Sequence, residues 1–186
     1  MMLERAVITH GSPTLARLKR GNLFNITPDW ETFDEEFARL NEMFAPKGLF
    51  LTVLRKRSGK VLLYLYRKCD LEGALSCPLI QEFLRSCGYT SFRLEDVLGH
   101  LRHRLETAED FPHEIGVFLG YPLSDVIGFI QNGGQNCICC GCWKVYSNEC
   151  EALRSFERFR KCKEVYGRLF DAGQPLSKLA VRSRAG

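Results

Sequence analysis

The chain has 186 residues, of which 45% are hydrophobic, and a formal net charge of +4 at pH 7. This length and apolar content are typical of a chain that buries a hydrophobic core, and they argue against the disordered class of proteins. No apolar run approaches the roughly 20 residues of a membrane-spanning helix. Residues 1–10 also lack the apolar stretch of an export signal. We therefore predict a cytoplasmic protein with no membrane partner.

The net positive charge comes mainly from the last part of the sequence. Lys178, Arg182 and Arg184 supply three of the four net charges, and no acidic residue follows Asp171. A nucleic-acid-binding domain usually carries a basic stripe on its folded surface, so we do not expect a nucleic acid as the partner. A protein partner stays open. We predict one globular domain over residues 1–173 and a basic, frayed tail over residues 174–186.

The first part of the chain reads as helices around a β-hairpin. Residues 1–18 predict two short helical pieces broken at Gly11-Ser12-Pro13, followed by an edge strand at residues 22–26. Aromatic residues at helical spacing predict an amphipathic helix over residues 28–44. Two near-continuous apolar runs joined by a basic turn predict a hairpin over residues 49–66.

The rest of the chain is predicted to add helices and two further strands. Short apolar runs predict strands at residues 115–119 and 143–146 that join the hairpin. Apolar spacing predicts helices at residues 71–75, 78–87, 94–105, 122–132 and 148–171. We therefore predict an α/β or α+β fold in which helices cover a central mixed sheet of about four to five strands.

Cysteine is the residue type used most unusually, because the chain has nine and four of them fall within six positions. These four are Cys137, Cys139, Cys140 and Cys142. A disulfide framework is not expected in a reducing cytosol. A C-x-x-C pair lets two thiols converge on one metal ion and often has depressed thiol pKa values. The pattern indicates a soft transition metal (Fe, Zn or Cu), with His113 as a further candidate ligand, or thiol redox chemistry. A thiol-rich loop without a dedicated role is the alternative.

His113 and Glu114 form a second candidate site. They follow Pro112 and precede the predicted strand at residues 115–119, and site residues are common at strand ends. Histidine can act as an acid or base near neutral pH, with glutamate as its partner. The two residues are candidates for acid–base catalysis, and a capping or surface pair is the alternative.

The turn Gly120-Tyr121-Pro122 is a third candidate, because it opens a predicted helix after a predicted strand. The N–H groups at a helix N-terminus bind anions, and Lys144 reaches the same side if the two predicted strands pair. The sequence contains neither the P-loop motif nor the dinucleotide-binding glycine motif. Gly120, Tyr121 and Lys144 are therefore candidates for a phosphate or flavin pocket, and a plain tight turn is the alternative.

Several segments together form a recognisable pattern: residues 10–16, 22–24, 111–122 and 143–146, with Asp125-Val126, Gly128-Phe129 and Gly141. In these segments the chain resembles the domain-of-unknown-function family 3793 (DUF3793), found mainly in anaerobic bacteria. The resemblance implies a small cytoplasmic single-domain protein. That family often has cysteine where Gly11 stands here, and it varies across residues 137–142. A function shared by the family should rest on shared residues, so the resemblance favours a site outside the cysteine loop. The residues it favours are His113, Glu114, Tyr121, Trp143, Lys144 and Tyr146.

These observations lead to hypotheses from different functional classes. The first is a thiol-based metal-binding or redox accessory protein of the anaerobic cytosol that uses the cysteine loop. The second is a non-enzymatic module that binds a small ligand or a protein partner near His113, Tyr121 and Lys144. The third is an enzyme that uses His113 and Glu114 as acid and base. Whether the protein is an enzyme stays open.

Overall fold

The computed structural model describes residues 2–108 and 110–183. The chain divides into two units: unit 1 consists of Met1–Leu71 and Lys161–Gly186, and unit 2 consists of Glu72–Arg160. A single domain over residues 1–173 stays a prediction. Within the described residues, no helix combines the length and the apolar character needed to cross a membrane.

Helices supply most of the regular structure, and the strands form two small sheets. In chain order the helices are α1 (Met2–Leu15), α2 (Phe33–Phe44), α3 (Lys68–Leu75), α4 (Pro78–Ser86), α5 (Leu94–Thr107), α6 (Ile115–Leu119), α7 (Leu123–Gln131), α8 (Glu149–Asp171) and α9 (Leu176–Leu179). The strands are β1 (Gly21–Ile26), β2 (Leu49–Arg57), β3 (Lys60–Arg67), β4 (Cys139–Cys140) and β5 (Lys144–Val145). The predicted mixture of helices and strands is therefore confirmed.

Unit 1 is built on an antiparallel sheet with the strand order β1-β3-β2. The middle strand β3 is buried from Val61 to Arg67, as its continuous apolar run predicts. Ser58 and Gly59 adopt positive φ angles in the β2–β3 turn, which suits a tight hairpin. Helices α1 and α2 add their apolar residues to the core that includes Leu63 and Leu65. The predicted hairpin and edge strand are confirmed.

Helix α1 is continuous, which corrects the predicted break at Gly11-Ser12-Pro13. Pro13 lies in the last turn of α1, so its missing N–H removes a hydrogen bond near the helix end rather than in the middle. The Ser12 hydroxyl donates to Ile8 O within the helix. Gly11 marks a close approach, because an added Cβ would lie 2.6 Å from Leu65 Cδ2.

The two strands predicted to join the hairpin do not do so. Residues 115–119 form α6, which Gly120 ends in a left-handed conformation with φ 80°. An apolar run of this length fits a buried helical turn as well as a strand. Strand β5 exists at Lys144–Val145, but it pairs with β4. The sheet of unit 1 therefore has three strands and not the predicted four to five.

The predicted frayed tail is corrected over residues 176–183, and Arg184 lies outside the described residues. Leu176, Leu179 and Ala180 are buried in the core of unit 1. Lys47 Nζ donates to Ser177 O at 2.6 Å and to Ala180 O at 2.7 Å. Three buried apolar side chains and the hydrogen bonds from Lys47 thus dock a segment whose composition is otherwise polar and basic.

Arg67 joins this segment to the end of α1. Its side chain is fully buried. Nε donates to Thr14 O, and Nη2 donates to both Leu15 O and Val181 O, each at 2.8 Å. Nη1 donates to Ser183 Oγ at 3.1 Å. The guanidinium therefore satisfies carbonyls at a helix end, where the helix itself supplies no partner.

Unit 2 contains helices α4 to α7, the β4–β5 ladder and parts of α3 and α8. Each of the helices from α4 to α7 contributes buried apolar side chains, among them Leu84, Val97, Leu101, Phe118 and Val126. A tight corner joins α6 to α7, and Tyr121 N donates to Gly116 O at 2.9 Å across it. This corner and the β4–β5 ladder frame the candidate site.

Candidate ligand-binding site

A cavity of about 280 Å³ lies in unit 2 between the α6–α7 corner and the β4–β5 ladder. Its walls are mainly apolar and aromatic. The residues that line it are His113, Ile115, Gly116, Tyr121, Asp125, Val126, Phe129, Cys140, Gly141, Trp143 and Lys144. The predicted site residues His113, Tyr121 and Lys144 therefore share one cavity with Cys140, one of the predicted metal ligands.

The corner between α6 and α7 directs Tyr121 toward the cavity. Gly120, with its positive φ, ends α6, and Pro122 directly precedes α7. The two helices approach so closely that an added Cβ on Gly116 would lie 2.6 Å from Val126 Cγ2. Gly120 does not line the cavity; its role is to turn the chain.

Stacked aromatic rings form one wall. The rings of Tyr121 and Trp143 are stacked with centroids 5.0 Å apart, and Phe156 meets Trp143 edge-on at 4.5 Å. Tyr121 Oη donates to Cys142 O at 3.0 Å. Burial raises the pKa of Tyr121 to about 12, so the phenol is a neutral hydrogen-bond donor at physiological pH. A side chain on Gly141 would overlap the Phe156 ring, so glycine there lets this wall close.

The buried side chain of Asp125 holds the Trp143 ring of this wall in place by hydrogen bonding. Its carboxylate is 2% exposed and accepts three hydrogen bonds. Trp143 Nε1 donates to Oδ2 at 2.7 Å, while Tyr146 N and Ser147 Oγ donate to Oδ1 at 2.9 and 2.7 Å. A buried carboxylate needs such donors because its desolvation is costly. Asp125 thereby attaches α7 to β5 and sets the orientation of the Trp143 ring.

The lining of the cavity also includes a lysine and a histidine that contact Phe129. Lys144 Nζ donates to Gly134 O at 2.6 Å and lies 5.8 Å from the centroid of the Phe129 ring. The His113 ring packs on the same phenyl ring with a centroid separation of 4.9 Å. Gly134, which follows the C-terminus of α7, adopts a positive φ of 72° that suits glycine.

The cysteine loop supplies one side chain to the cavity. Cys139 and Cys140 face β5 in the ladder, Cys140 lines the cavity, and Cys142 is exposed beyond it. Burial and then the nearby Glu149 carboxylate raise the pKa of the Cys139 thiol. This direction is opposite to the depression expected for a reactive C-x-x-C pair.

The metal prediction gains no support from the described residues. Among residues 2–108 and 110–183, no three or more His, Cys, Asp or Glu side chains converge in a way that could hold a metal ion. Cys137 is partly buried and unpaired with another cysteine in this part of the chain. A soft-metal site at Cys137, Cys139, Cys140 and Cys142 stays a prediction.

Glu114 is bound away from the cavity. Its carboxylate is almost fully buried and forms an ion pair with Arg104, with Nε 2.6 Å from Oε1. Tyr89 Oη donates to the same oxygen at 3.3 Å. Of the predicted acid–base pair, only His113 lines the cavity. Burial, followed by the charge of Glu114, strongly raises the pKa of Tyr89.

Sequence reasoning gave no role in the site to Asp125, Val126, Phe129 and Phe156. Val126 fits an ordinary apolar stripe, and Phe156 falls within a long amphipathic helix. Two signals were available: Asp125-Val126 and Gly128-Phe129 belong to the family pattern, and Asp125 is an acidic residue directly beside that stripe in the first turn of a short helix. Its three donors lie 18 to 22 residues further along the chain, so local pattern could not assign them.

Comparison with known families gives one match. The family model described as "Protein of unknown function (DUF3793)" matches residues 7–180. The match spans most of the chain and includes the whole cavity, so the chain belongs to the DUF3793 family. Neither the curated proteins nor the solved structures gave a match.

Proposed function

We propose that unit 2 of this DUF3793 family member binds a small aromatic ligand in the cavity between α6, α7 and the β4–β5 ladder. The observation that carries the proposal is the aromatic wall itself. Tyr121 and Trp143 stack on one another, and the buried Asp125 carboxylate holds the Trp143 indole by a hydrogen bond of 2.7 Å. A wall built in this way is pre-formed, which lowers the entropy lost when a ligand binds.

The size and the lining of the cavity agree with a ligand of one or two rings. Small-molecule sites are typically apolar clefts of about 300–1,000 Å³ with a few polar groups that fix the ligand's orientation. The volume here, about 280 Å³, lies just below that range, which favours a small ligand. Lys144, His113 and the thiol of Cys140 are the polar groups at its edge. A flavin, with its three fused rings, is too large to fit inside a cavity of about 280 Å³.

The same geometry favours binding over catalysis. His113 lines the cavity, whereas Glu114 is engaged by Arg104 and Tyr89. A general base needs a proton-carrying atom of the substrate within hydrogen-bond reach. Because Glu114 is not among the lining residues, the catalytic pair His113 and Glu114 stays a prediction that the cavity does not favour.

The test uses two matched cysteine substitutions. Both Cys140 and Cys142 are exposed, but only Cys140 lines the cavity. We expect one or more one- and two-ring aromatic probes, such as indole, quinoline and 2-naphthoate, to quench Trp143 fluorescence saturably in a Trp30→Phe background. Cys140→Phe should fill part of the cavity and weaken binding at least tenfold, while Cys142→Phe should leave the affinity unchanged, and neither change adds a second tryptophan to the signal.

Two results would refute the proposal. The first is that no probe binds at millimolar concentration. The second is that both phenylalanine variants bind a probe as well as the parent, because the ligand would then bind elsewhere. Alkylation of Cys140 by iodoacetamide gives an independent readout, since a ligand in the cavity should slow it and leave alkylation of Cys142 unchanged.

The thiol hypothesis is kept as a second prediction with its own measurement. An absorbance spectrum and elemental analysis of protein purified without oxygen would detect bound Fe, Zn or Cu. Serine at Cys137, Cys139, Cys140 and Cys142 would remove a metal held by these thiols. Cys140→Ser preserves the volume of the cavity, so it separates a metal function from the binding of an aromatic ligand.

A further inference from the structure

We infer that the ligand carries an anionic group on its ring, and that Lys144 Nζ binds this group. The inference rests on the proposed function and specifies the chemical class of the ligand, an aromatic carboxylate or a compound with an equivalent anion. Three features of the cavity support it: the position of the lysine, the state of the buried carboxylate, and the arrangement of the rings.

Lys144 brings a positive charge to an otherwise apolar cavity. Its side chain is partly buried, and within the described part of the chain its hydrogen bond to Gly134 O uses one of three N–H groups. An ammonium removed from bulk water regains the lost interaction most strongly from an anion. The neighbouring phenyl ring of Phe129, 5.8 Å away, replaces only part of that hydration.

The carboxylate within the cavity wall does not serve as the partner of this lysine. Both oxygens of Asp125 already accept hydrogen bonds from Trp143 Nε1, Tyr146 N and Ser147 Oγ. Its exposed fraction is 2%, so its charge is covered by these donors. His113, at the rim beside Phe129, adds a second group able to donate to an anion. A cationic ligand would meet Lys144 without any exposed compensating charge among the lining residues.

The rings determine the rest of the ligand. Phe129 packs against both His113 and Lys144, Trp143 stacks on Tyr121, and all five side chains line the same cavity. A planar ring bound against these aromatic side chains would share the cavity with Lys144, so an anionic substituent on that ring would lie in the same cavity as the ammonium. Aromatic contacts of this kind are worth about 0.5–1.5 kcal/mol beyond the burial of area. Inorganic or aliphatic anions would therefore bind less well than aromatic ones.

The experiment compares 2-naphthoate with 2-naphthamide, which has nearly the same shape and no charge, and with acetate, which has the charge and no ring. Isothermal titration calorimetry of the full chain should give at least tenfold tighter binding for 2-naphthoate than for either of the others. Lys144→Met should abolish that preference, and Lys144→Arg should retain most of it. Lys60→Met, the same change at an exposed lysine of unit 1, should change nothing.

Each outcome decides the matter. Equal affinity for 2-naphthoate and 2-naphthamide would overturn the inference about charge and leave the aromatic site standing. Equal affinity for acetate and 2-naphthoate would show an anion site without ring recognition, and would also overturn the inference. Binding of none of the three, together with unchanged alkylation of Cys140, would overturn the inference and the proposed function together. A preference for 2-naphthoate that survives Lys144→Met would show that another group binds the anion.

Discussion

Unit 1 and unit 2 each bury a charged side chain among uncharged partners, and the two charges have different tasks. In unit 1 the guanidinium of Arg67 donates to Thr14 O, Leu15 O and Val181 O. In unit 2 the carboxylate of Asp125 accepts from Trp143, Tyr146 and Ser147. Burying a charge is costly unless hydrogen bonds compensate it, so each charge forces its partners into one arrangement.

The difference lies in what is arranged. Arg67 binds backbone carbonyls at the end of α1 and on the segment after α9, so it joins the two ends of the unit 1 chain to the central strand β3. Asp125 gathers an indole, a backbone amide and a hydroxyl, so it positions the wall of a cavity. The comparison predicts that Arg67 controls stability, and that Asp125 controls both the stability and the binding properties of unit 2.

The largest expected effect is that of Arg67→Met. The change removes four hydrogen bonds of a buried guanidinium, to Thr14 O, Leu15 O, Val181 O and Ser183 Oγ. Thr14 O and Leu15 O keep backbone donors, in Arg17 N and Val181 N. We expect the free energy of unfolding to fall by about 3–5 kcal/mol. Urea denaturation measures it. The control is Arg57→Met, at an exposed position in the hairpin, which should stay within about 0.5 kcal/mol of the parent. Similar losses in both variants would contradict the role given to burial.

Asp125→Asn should come next. An asparagine amide has one acceptor oxygen and cannot accept from both Trp143 Nε1 and the two donors on Oδ1, so at least one donor loses its partner. We expect unit 2 to lose about 2–3 kcal/mol of stability and the emission of Trp143 to shift in a Trp30→Phe background. Binding of aromatic probes should weaken in parallel. The control, Glu106→Gln on an exposed part of α5, should affect neither property.

Glu114→Gln extends the comparison to a buried charge whose partner is itself charged, because Glu114 forms an ion pair with Arg104 whereas Arg67 and Asp125 bind uncharged groups. Glu114 is 3% exposed and Arg104 is 34% exposed, so the arginine left behind stays partly hydrated. We expect a loss of about 1–2 kcal/mol, smaller than that for Asp125→Asn. Urea denaturation beside the exposed control Glu82→Gln tests this order. A larger loss than that of Asp125→Asn would break the comparison.

Tyr121→Phe should have the smallest effect at neutral pH, about 1 kcal/mol for its hydrogen bond to Cys142 O. Its larger consequence is at alkaline pH. The pKa of Tyr121 is raised to about 12 in the folded protein, against about 10 in the unfolded chain. Between these values only the unfolded chain loses the proton, so stability falls with rising pH by at most about 1.4 kcal/mol per unit. Unfolding of the parent between pH 9 and 12 should therefore be steeper than that of Tyr121→Phe, and equal slopes would contradict the assignment.

The sequence predicted those elements whose patterns are long. Helices α2, α5 and α8 and the β2–β3 hairpin repeat their apolar spacing over many residues, which separates helical from strand periodicity. Even there the boundaries moved, since α2 begins at Phe33 rather than at the predicted residue 28. The apolar spacing of α8 did not predict which residues are buried either, since Leu153 is 50% exposed.

Short segments were misassigned because their neighbours in space decide their structure. The run of five residues at 115–119 is too short for its apolar pattern to distinguish a helix from a strand. The close packing of Gly116 on Val126 cannot be read from the neighbouring sequence. The segment after Gln174 reads as a basic tail until Arg67 and Lys47 are seen to bind its carbonyls. Both errors concern contacts between residues far apart in the sequence.

The candidate site was predicted by residue type and only in part. His113, Tyr121 and Lys144 stood out as a histidine, a tyrosine at a turn and a lysine near the cysteines, and all three line the cavity. Lys144 and Tyr121 do line the same cavity, but the predicted reason was wrong: residues 115–119 form the helix α6 and not a strand that pairs with residues 143–146. Asp125 and Phe129 were missed since their importance depends on partners brought together by the fold.

The divided make-up of unit 1 has a consequence for biosynthesis. A ribosome delivers residues 72–160 of unit 2 as one uninterrupted stretch, whereas the core of unit 1 also needs Leu176 to Ala180. At typical elongation rates this segment follows Leu71 after roughly 5–20 s. During that interval Arg67 can bind the carbonyls at the end of α1, but Val181 O has not yet been synthesised. The part of the apolar core that Leu176 to Ala180 cover stays exposed to solvent. Nascent chains halted before residue 176 should therefore be cleaved by protease within residues 1–71 while unit 2 already resists it.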